Sequence, residues 1–238
     1  MRTASRILVA LAGVLAVLIP TGLMASPTQA APGYAVGPGT PIVVDGSAAC
    51  TLAAAGYDKG GRLVGLTPGH CGNVGSKVSI ESRRSGVIGT IAAKNKKVDY
   101  SVIVFNKAAV YPVRTVGRAT VTDVAQHPRA GTQVCKSGRT TGFSCGQVIE
   151  NSARSYETLS CVCAAPGDSG GPVIAGGKLV GILTGGAGVA IPFTNAGVIV
   201  ECIHPSIPIY SPMIATKVSV VLDQLNYYGG VGAGFRPV

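Results

Sequence analysis

The sequence predicts an all-β protein of barrel or sandwich type, and three observations carry that reading. Glycine accounts for 34 of 238 residues and proline for 15, so turn-forming residues are dense. Charged residues make up only 13% and hydrophobic residues 47%, which excludes a chain too polar to bury a core. Between the turn signals stand short runs rich in Val, Ile and Thr, residues that fit a pleated, half-buried surface. The glycines have no period of three and Glu/Lys/Leu heptads are missing, so collagen and coiled coil are excluded as well.

The first segment reads as an address. Arg2 and Arg6 precede an uncharged, mostly apolar run over 7–19, and Pro20 breaks it. Small residues follow at Thr28 and Ala30. This three-part pattern predicts a secretory signal peptide over 1–30, cut after Ala30, and a secreted, extracellular product. The run falls short of the roughly 20 residues that cross a bilayer, so no stable membrane anchor is expected.

Residues 31–238 are expected to form one domain. An irregular lead-in over 31–41 gives way to β-type runs at 41–44, 62–66, 77–80, 86–92, 100–105, 133–136, 147–149, 171–174 and 179–184. A long loop over 185–210, with one strand at 197–201, follows them. One helix is predicted over about 212–228. Ser211 can cap it and Pro212 suits its first position. Ile214, Val218, Val221, Leu222 and Leu225 share a face, and Gly229–Gly230 ends it.

The formal charge is +10. The basic residues Arg83, Arg84, Lys94, Lys96, Lys97, Lys136 and Arg139 are dispersed and lack interleaved aromatics, so nucleic-acid binding is not expected. A weak attraction to anionic cell-envelope polymers remains open. Seven cysteines in an exported chain suggest disulfides, with one cysteine left over. The single close pair, Cys161 and Cys163, and the scattered histidines do not suit zinc, so neither a metal nor another cofactor is expected.

The chemistry concentrates in Gly167-Asp168-Ser169-Gly170-Gly171-Pro172. A nucleophilic serine needs a tight turn, backbone N–H groups aimed at the developing oxyanion and a nearby base. His70, in Thr67-Pro68-Gly69-His70-Cys71, is the candidate base because its neighbour Cys71 can be tethered. Asp99, a single acid leading into an apolar run, is the candidate orienting acid. His127 and His204 read as structural.

The order His, Asp, Ser resembles the trypsin/chymotrypsin-like serine peptidase family, and more closely its secreted streptomycete and other actinobacterial branch. Val134-Cys135-Lys136-Ser137-Gly138-Arg139-Thr140-Thr141-Gly142 and Cys163-Ala164-Ala165-Pro166-Gly167-Asp168-Ser169 carry that closer likeness. The resemblance implies two antiparallel six-stranded β-barrels, about 40–112 and about 113–212, with the site in the cleft between them. It implies catalysis by His70, Asp99 and Ser169, with the N–H groups of Gly167 and Ser169 as oxyanion hole. It also implies a substrate-binding edge at Thr184, Gly185 and Gly186.

The resemblance further implies disulfides Cys50–Cys71, Cys135–Cys145 and Cys163–Cys202. The alternative closes Cys202 on Cys161. Asp168 needs a buried partner, for which Lys136 stands first, where the branch usually has arginine, and Arg139 second. Pro68 departs from the family's usual alanine. No acid opens the Ser169 segment and Leu183 stands where glutamyl-specific relatives have histidine, so an apolar residue before the cleaved bond is expected. The expected activity is that of a monomeric serine endopeptidase on protein or peptide substrates. The competing readings are a catalytically weak or inactive binding module on the same fold, and a cell-envelope esterase or structural protein.

Overall fold

The computed structural model describes residues 33–81, 85–190, 197–207 and 209–238. The expected signal peptide and Arg83–Arg84 lie outside them. Among the described residues, no helix is long and apolar enough to cross a membrane.

Two β-sheets build the body. The first runs in the order Arg236–Pro237, Ala54–Tyr57, Leu63–Thr67, Tyr100–Phe105, Gly89–Asn95, Lys77–Ile80, Pro41–Val44, Ala48–Thr51. Its pairs are antiparallel. Its ladder stays open as a half-barrel. Ala48–Thr51, at one edge, and Ala54–Tyr57, next to the other edge, are nevertheless consecutive, joined by Leu52 and Ala53, so one bent segment bonds to Pro41–Val44 on one half and to Leu63–Thr67 on the other. The second sheet runs Asp123–Val124, Lys178–Gly186, Pro172–Ala175, Gln133–Gly138, Gly142–Glu150, Glu157–Ser160, Met213–Lys217. Met213–Lys217 also pairs back onto Lys178–Gly186, which closes a six-stranded barrel.

The sequence pattern explains the central strands. Leu63–Thr67 is buried along its whole length, and Tyr100–Phe105 beside it is buried at five of six positions. Strands buried on both faces read as continuous apolar runs rather than as alternation.

Several elements differ from the sequence reading. Met213–Lys217 is a strand, and the helix occupies only Val218–Tyr228. The Ser-Pro start signal at 211–212 is local. It is overridden by pairing on both sides, with Glu157–Ser160 and with Lys178–Gly186. Val218, Val221 and Leu225 form the helix's buried face, and Gly229, at φ 70°, ends it. The run expected at 86–92 forms a strand only at Gly89–Asn95, because its first residues turn around Ser85, whose hydroxyl bonds the backbone of Ile80 and Gly86. The lead-in contains Tyr34–Val36, paired in parallel with Val110–Pro112. The strand expected at 197–201 shrinks to Gly197–Val198, paired with Val189–Ala190.

Three apolar clusters fill the molecule. One, with Ile42, Leu52, Ile88, Ile91 and Ile103, lies within the first sheet. Another, with Val134, Val162, Val173, Leu183 and Met213, lies within the second. The third joins both: Val64, Leu66 and Val102 pack with Ile174, Leu179, Ile182 and the helix residues Val221 and Leu225. This shared cluster holds the halves in register. Leu179, fully buried in it, is expected to cost about 2–5 kcal/mol on replacement by alanine. Denaturant unfolding of Leu179→Ala checks this, and a loss under about 1 kcal/mol would show that the cluster does not carry the joint.

Candidate active site

His70 sits in the short 3-10 turn Gly69–Cys71, which Pro68 opens at φ −61°. Proline is compatible there because that φ is its own. Cys71 is bonded to Cys50, which anchors the turn to the neighbouring strand. One ring nitrogen of His70 lies within 4.8 Å of both sulfurs. That grouping of two cysteines and a histidine is not a metal centre, since each sulfur is spent in the disulfide.

Asp99 stands at the start of Tyr100–Phe105 with φ 56°, a left-handed backbone that Asp tolerates better than most residues. Its two oxygens both serve His70. Oδ1 accepts the His70 backbone N–H at 2.8 Å, and Oδ2 lies 2.7 Å from Nδ1. A carboxylate at Nδ1 holds the proton there and leaves Nε2 as an acceptor.

Ser169 lies in a turn built by glycines. Gly167 has φ 96° and Gly170 φ 94°, which L side chains rarely adopt. A Cβ on Gly170 would also meet the Thr51 carbonyl oxygen at 1.9 Å. Gly170 N donates to Leu183 O and Leu183 N to Gly171 O, which sews the turn to the strand Lys178–Gly186. Thr51 ties it to the other half of the molecule. Its N–H donates to Ser169 O at 2.7 Å, and its hydroxyl donates to Gly167 O at 3.0 Å. Among the described residues, the N–H groups of Gly167 and Ser169 have no acceptor. No hydrogen bond joins His70 to Ser169. Catalytic hydrogen bonds are often long in free enzymes and tighten with substrate.

Beneath Ser169 lies a fully buried ion pair. Lys136 Nζ is 2.9 Å from Asp168 Oδ2, with both side chains excluded from solvent. Asp168 Oδ1 also accepts the N–H of Thr140 and Thr141, while Oδ2 accepts the N–H of Ala165 and the Thr141 hydroxyl. Burial works against the Asp168 charge. The Lys136 ammonium and the Thr141 donors outweigh it, and the carboxyl is held below its usual range. Burial pulls Lys136 down in turn, opposed by Asp168. Arg139, the second candidate for this partnership, turns outward and pairs with Glu81.

A pocket of about 330 Å³ opens beside Ser169. Ala164, Pro166, Leu183, Ile199 and Val200 give it apolar walls, and Glu201 is its one charged residue. Gly185 and Gly186 form part of the wall, while the Thr184 hydroxyl reaches Ile214 O. The far wall is pinned by the Cys163–Cys202 disulfide and by a reciprocal pair of hydrogen bonds between Val200 and Ser211. The Cys135–Cys145 disulfide clips a hairpin, and Cys161 is free and exposed. His127 is buried against Thr158 and Pro128. His204 is exposed and bonded to Ser206.

The sequence reading missed Thr51, Glu81 and Glu201. Glu201 precedes Cys202, so the pairing of that cysteine with Cys163 was the one signal that could have brought it to the pocket.

The Trypsin family profile matches residues 61–203, more than half of the chain. Serine protease 2 of Streptomyces fradiae is 30% identical over 163 residues, which cover 63% of this chain and 94% of that protein. Streptogrisin-C of Streptomyces griseus is 29% identical over 160 residues, again 63% of this chain, but the match spans only 35% of the relative. Among solved structures, Nocardiopsis protease superposes with TM-score 0.64 at 27% identity, covering 81% of this chain and 97% of that one. Thermobifida fusca protease A gives 0.64 at 25% identity, covering 86% and 99%.

Removing Lys136 strands a buried carboxylate, so Lys136→Ala is expected to lose about 3–5 kcal/mol. Because the Asp168 carboxyl is lowered in the folded state, its contribution is present above the unfolded value of about 3.9 and is lost as pH falls below it. Urea unfolding between pH 3 and 7 checks both points. In Asp168→Asn the acid-side decline is expected to flatten, and an unchanged decline would remove the pair from the explanation.

Proposed function

The chain belongs to the Trypsin family, and from that premise we propose that it is a secreted serine endopeptidase acting through His70, Asp99 and Ser169. The observation that carries the reading is the Gly167–Ser169 turn. It sets a serine on the wall of a pocket, with two backbone N–H groups that have no acceptor among the described residues.

Ser169 Oγ attacks the scissile carbonyl while His70 Nε2 takes its proton. Asp99 keeps the other ring proton at Nδ1 and stabilises the imidazolium. The carbonyl oxygen gains negative charge and is received by the N–H groups of Gly167 and Ser169, each donor of this kind being worth roughly 3–4 kcal/mol. The tetrahedral intermediate then expels the amine, which leaves with the proton from His70. Water, deprotonated by the same ring, cleaves the acyl ester and regenerates the hydroxyl. Side-chain rotation in the substrate complex brings His70 and Ser169 into hydrogen-bond contact.

The half-buried edge Thr184–Gly186 pairs with substrate backbone, and the pocket walls favour an apolar side chain before the cleaved bond. Residues 1–30 direct export, and the disulfides suit an oxidising exterior.

A fluorophosphonate probe is expected to label the wild type and leave Ser169→Ala unlabelled. Asp99→Asn is expected to lower kcat by on the order of 10⁴. Absence of labelling in the wild type would leave the binding-module reading standing. In a peptide library, Leu or Phe before the cut is expected to outperform Arg. Preference for Arg that disappears in Glu201→Gln would instead give the pocket to Glu201.

A further inference from the structure

A second recess, of about 230 Å³, is lined by Gly69, His70, Lys94, Lys96 and Asp99. Its walls come from the histidine turn and from the hairpin between Gly89–Asn95 and Tyr100–Phe105. The charges in it do not balance. Both oxygens of Asp99, the only acid among the described residues that line it, are taken by His70. Lys94 Nζ donates to the Gly72 carbonyl at 2.6 Å and to Asn73 Oδ1 at 3.0 Å, which are neutral acceptors that leave its charge uncompensated. Lys96 is exposed and, among the described residues, has no hydrogen-bond or ion-pair partner. The turn that presents it is held by Asn95 Oδ1, which accepts the N–H of Lys97 and Val98. The hairpin therefore brings two uncompensated lysines to the recess that His70 also lines.

In an extended substrate paired along Thr184–Gly186, successive side chains point to opposite faces. When one side chain enters the pocket beside Ser169, the preceding one is directed away from it, toward His70. We propose that this recess seats the residue immediately before the one at the cleaved bond, and that Lys96, backed by Lys94, selects an Asp or Glu side chain there. The inference rests on the peptidase reading above, and Lys96 is in it a specificity-determining residue.

The test uses three peptides identical except at that position, carrying Glu, Gln or Lys, with the residue at the cut held constant. The expected order of kcat/KM is Glu, then Gln, then Lys. The Glu/Gln ratio should be about 1.5- to fivefold at low salt, as suits exposed charges, and should shrink toward one at about 1 M salt. Lys96→Glu is expected to invert the ratio. Lys178→Glu, at the far end of the strand that carries the substrate edge, should leave it as in the wild type. Equal cleavage of the Glu and Gln peptides, or a ratio unmoved by Lys96→Glu, overturns this inference alone. Cleavage of none of the three overturns the peptidase reading and this inference with it.

Discussion

The buried contact between Lys136 and Asp168 is the constraint on which the site depends. A carboxylate with no solvent exposure survives as an ion only when donors surround it. Here an ammonium, a hydroxyl and three backbone N–H groups do so. Those donors come from the strand Gln133–Gly138, from the residues that follow it and from Ala165, so satisfying one charge folds three segments around the Ser169 turn. The positions of the Gly167 and Ser169 N–H groups follow from that charge. A turn that relaxed to hydrate Asp168 would carry them elsewhere.

The division of labour follows from packing. One sheet brings the histidine and its acid, the other brings the serine and the pocket, and an apolar cluster drawn from both lies between them. The helix Val218–Tyr228 adds Val218, Val221 and Leu225 to that cluster, well away in sequence from every candidate catalytic residue. The C-terminal strand Arg236–Pro237 completes the edge of the first sheet against Ala54–Tyr57.

Much of this was legible in the sequence, and the rest has a physical reason for being hidden. The strands Pro41–Val44 and Tyr100–Phe105 announce themselves because β-branched runs between turn signals leave little alternative. Gly167-Asp168-Ser169-Gly170 is readable because only glycine allows its positive φ values and the approach of Thr51. Met213–Lys217 was hidden by a local helix-start pattern, since its strand state depends on partners more than 25 residues away in sequence. Arg139 pairs with Glu81 across 58 residues, and no spacing rule reveals such a contact. Glu201 and Lys96 became visible only when a loop and a hairpin were folded against the cleft.

Thr51 has a mechanical consequence. Its main chain and hydroxyl reach the serine turn, its neighbour Cys50 is bridged to Cys71, and its carbonyl accepts the Thr67 hydroxyl. A single residue therefore rivets the Ser169 turn to the His70 turn. A jaw-like swing of one sheet against the other would have to shear those bonds first, so the two turns behave as one rigid piece.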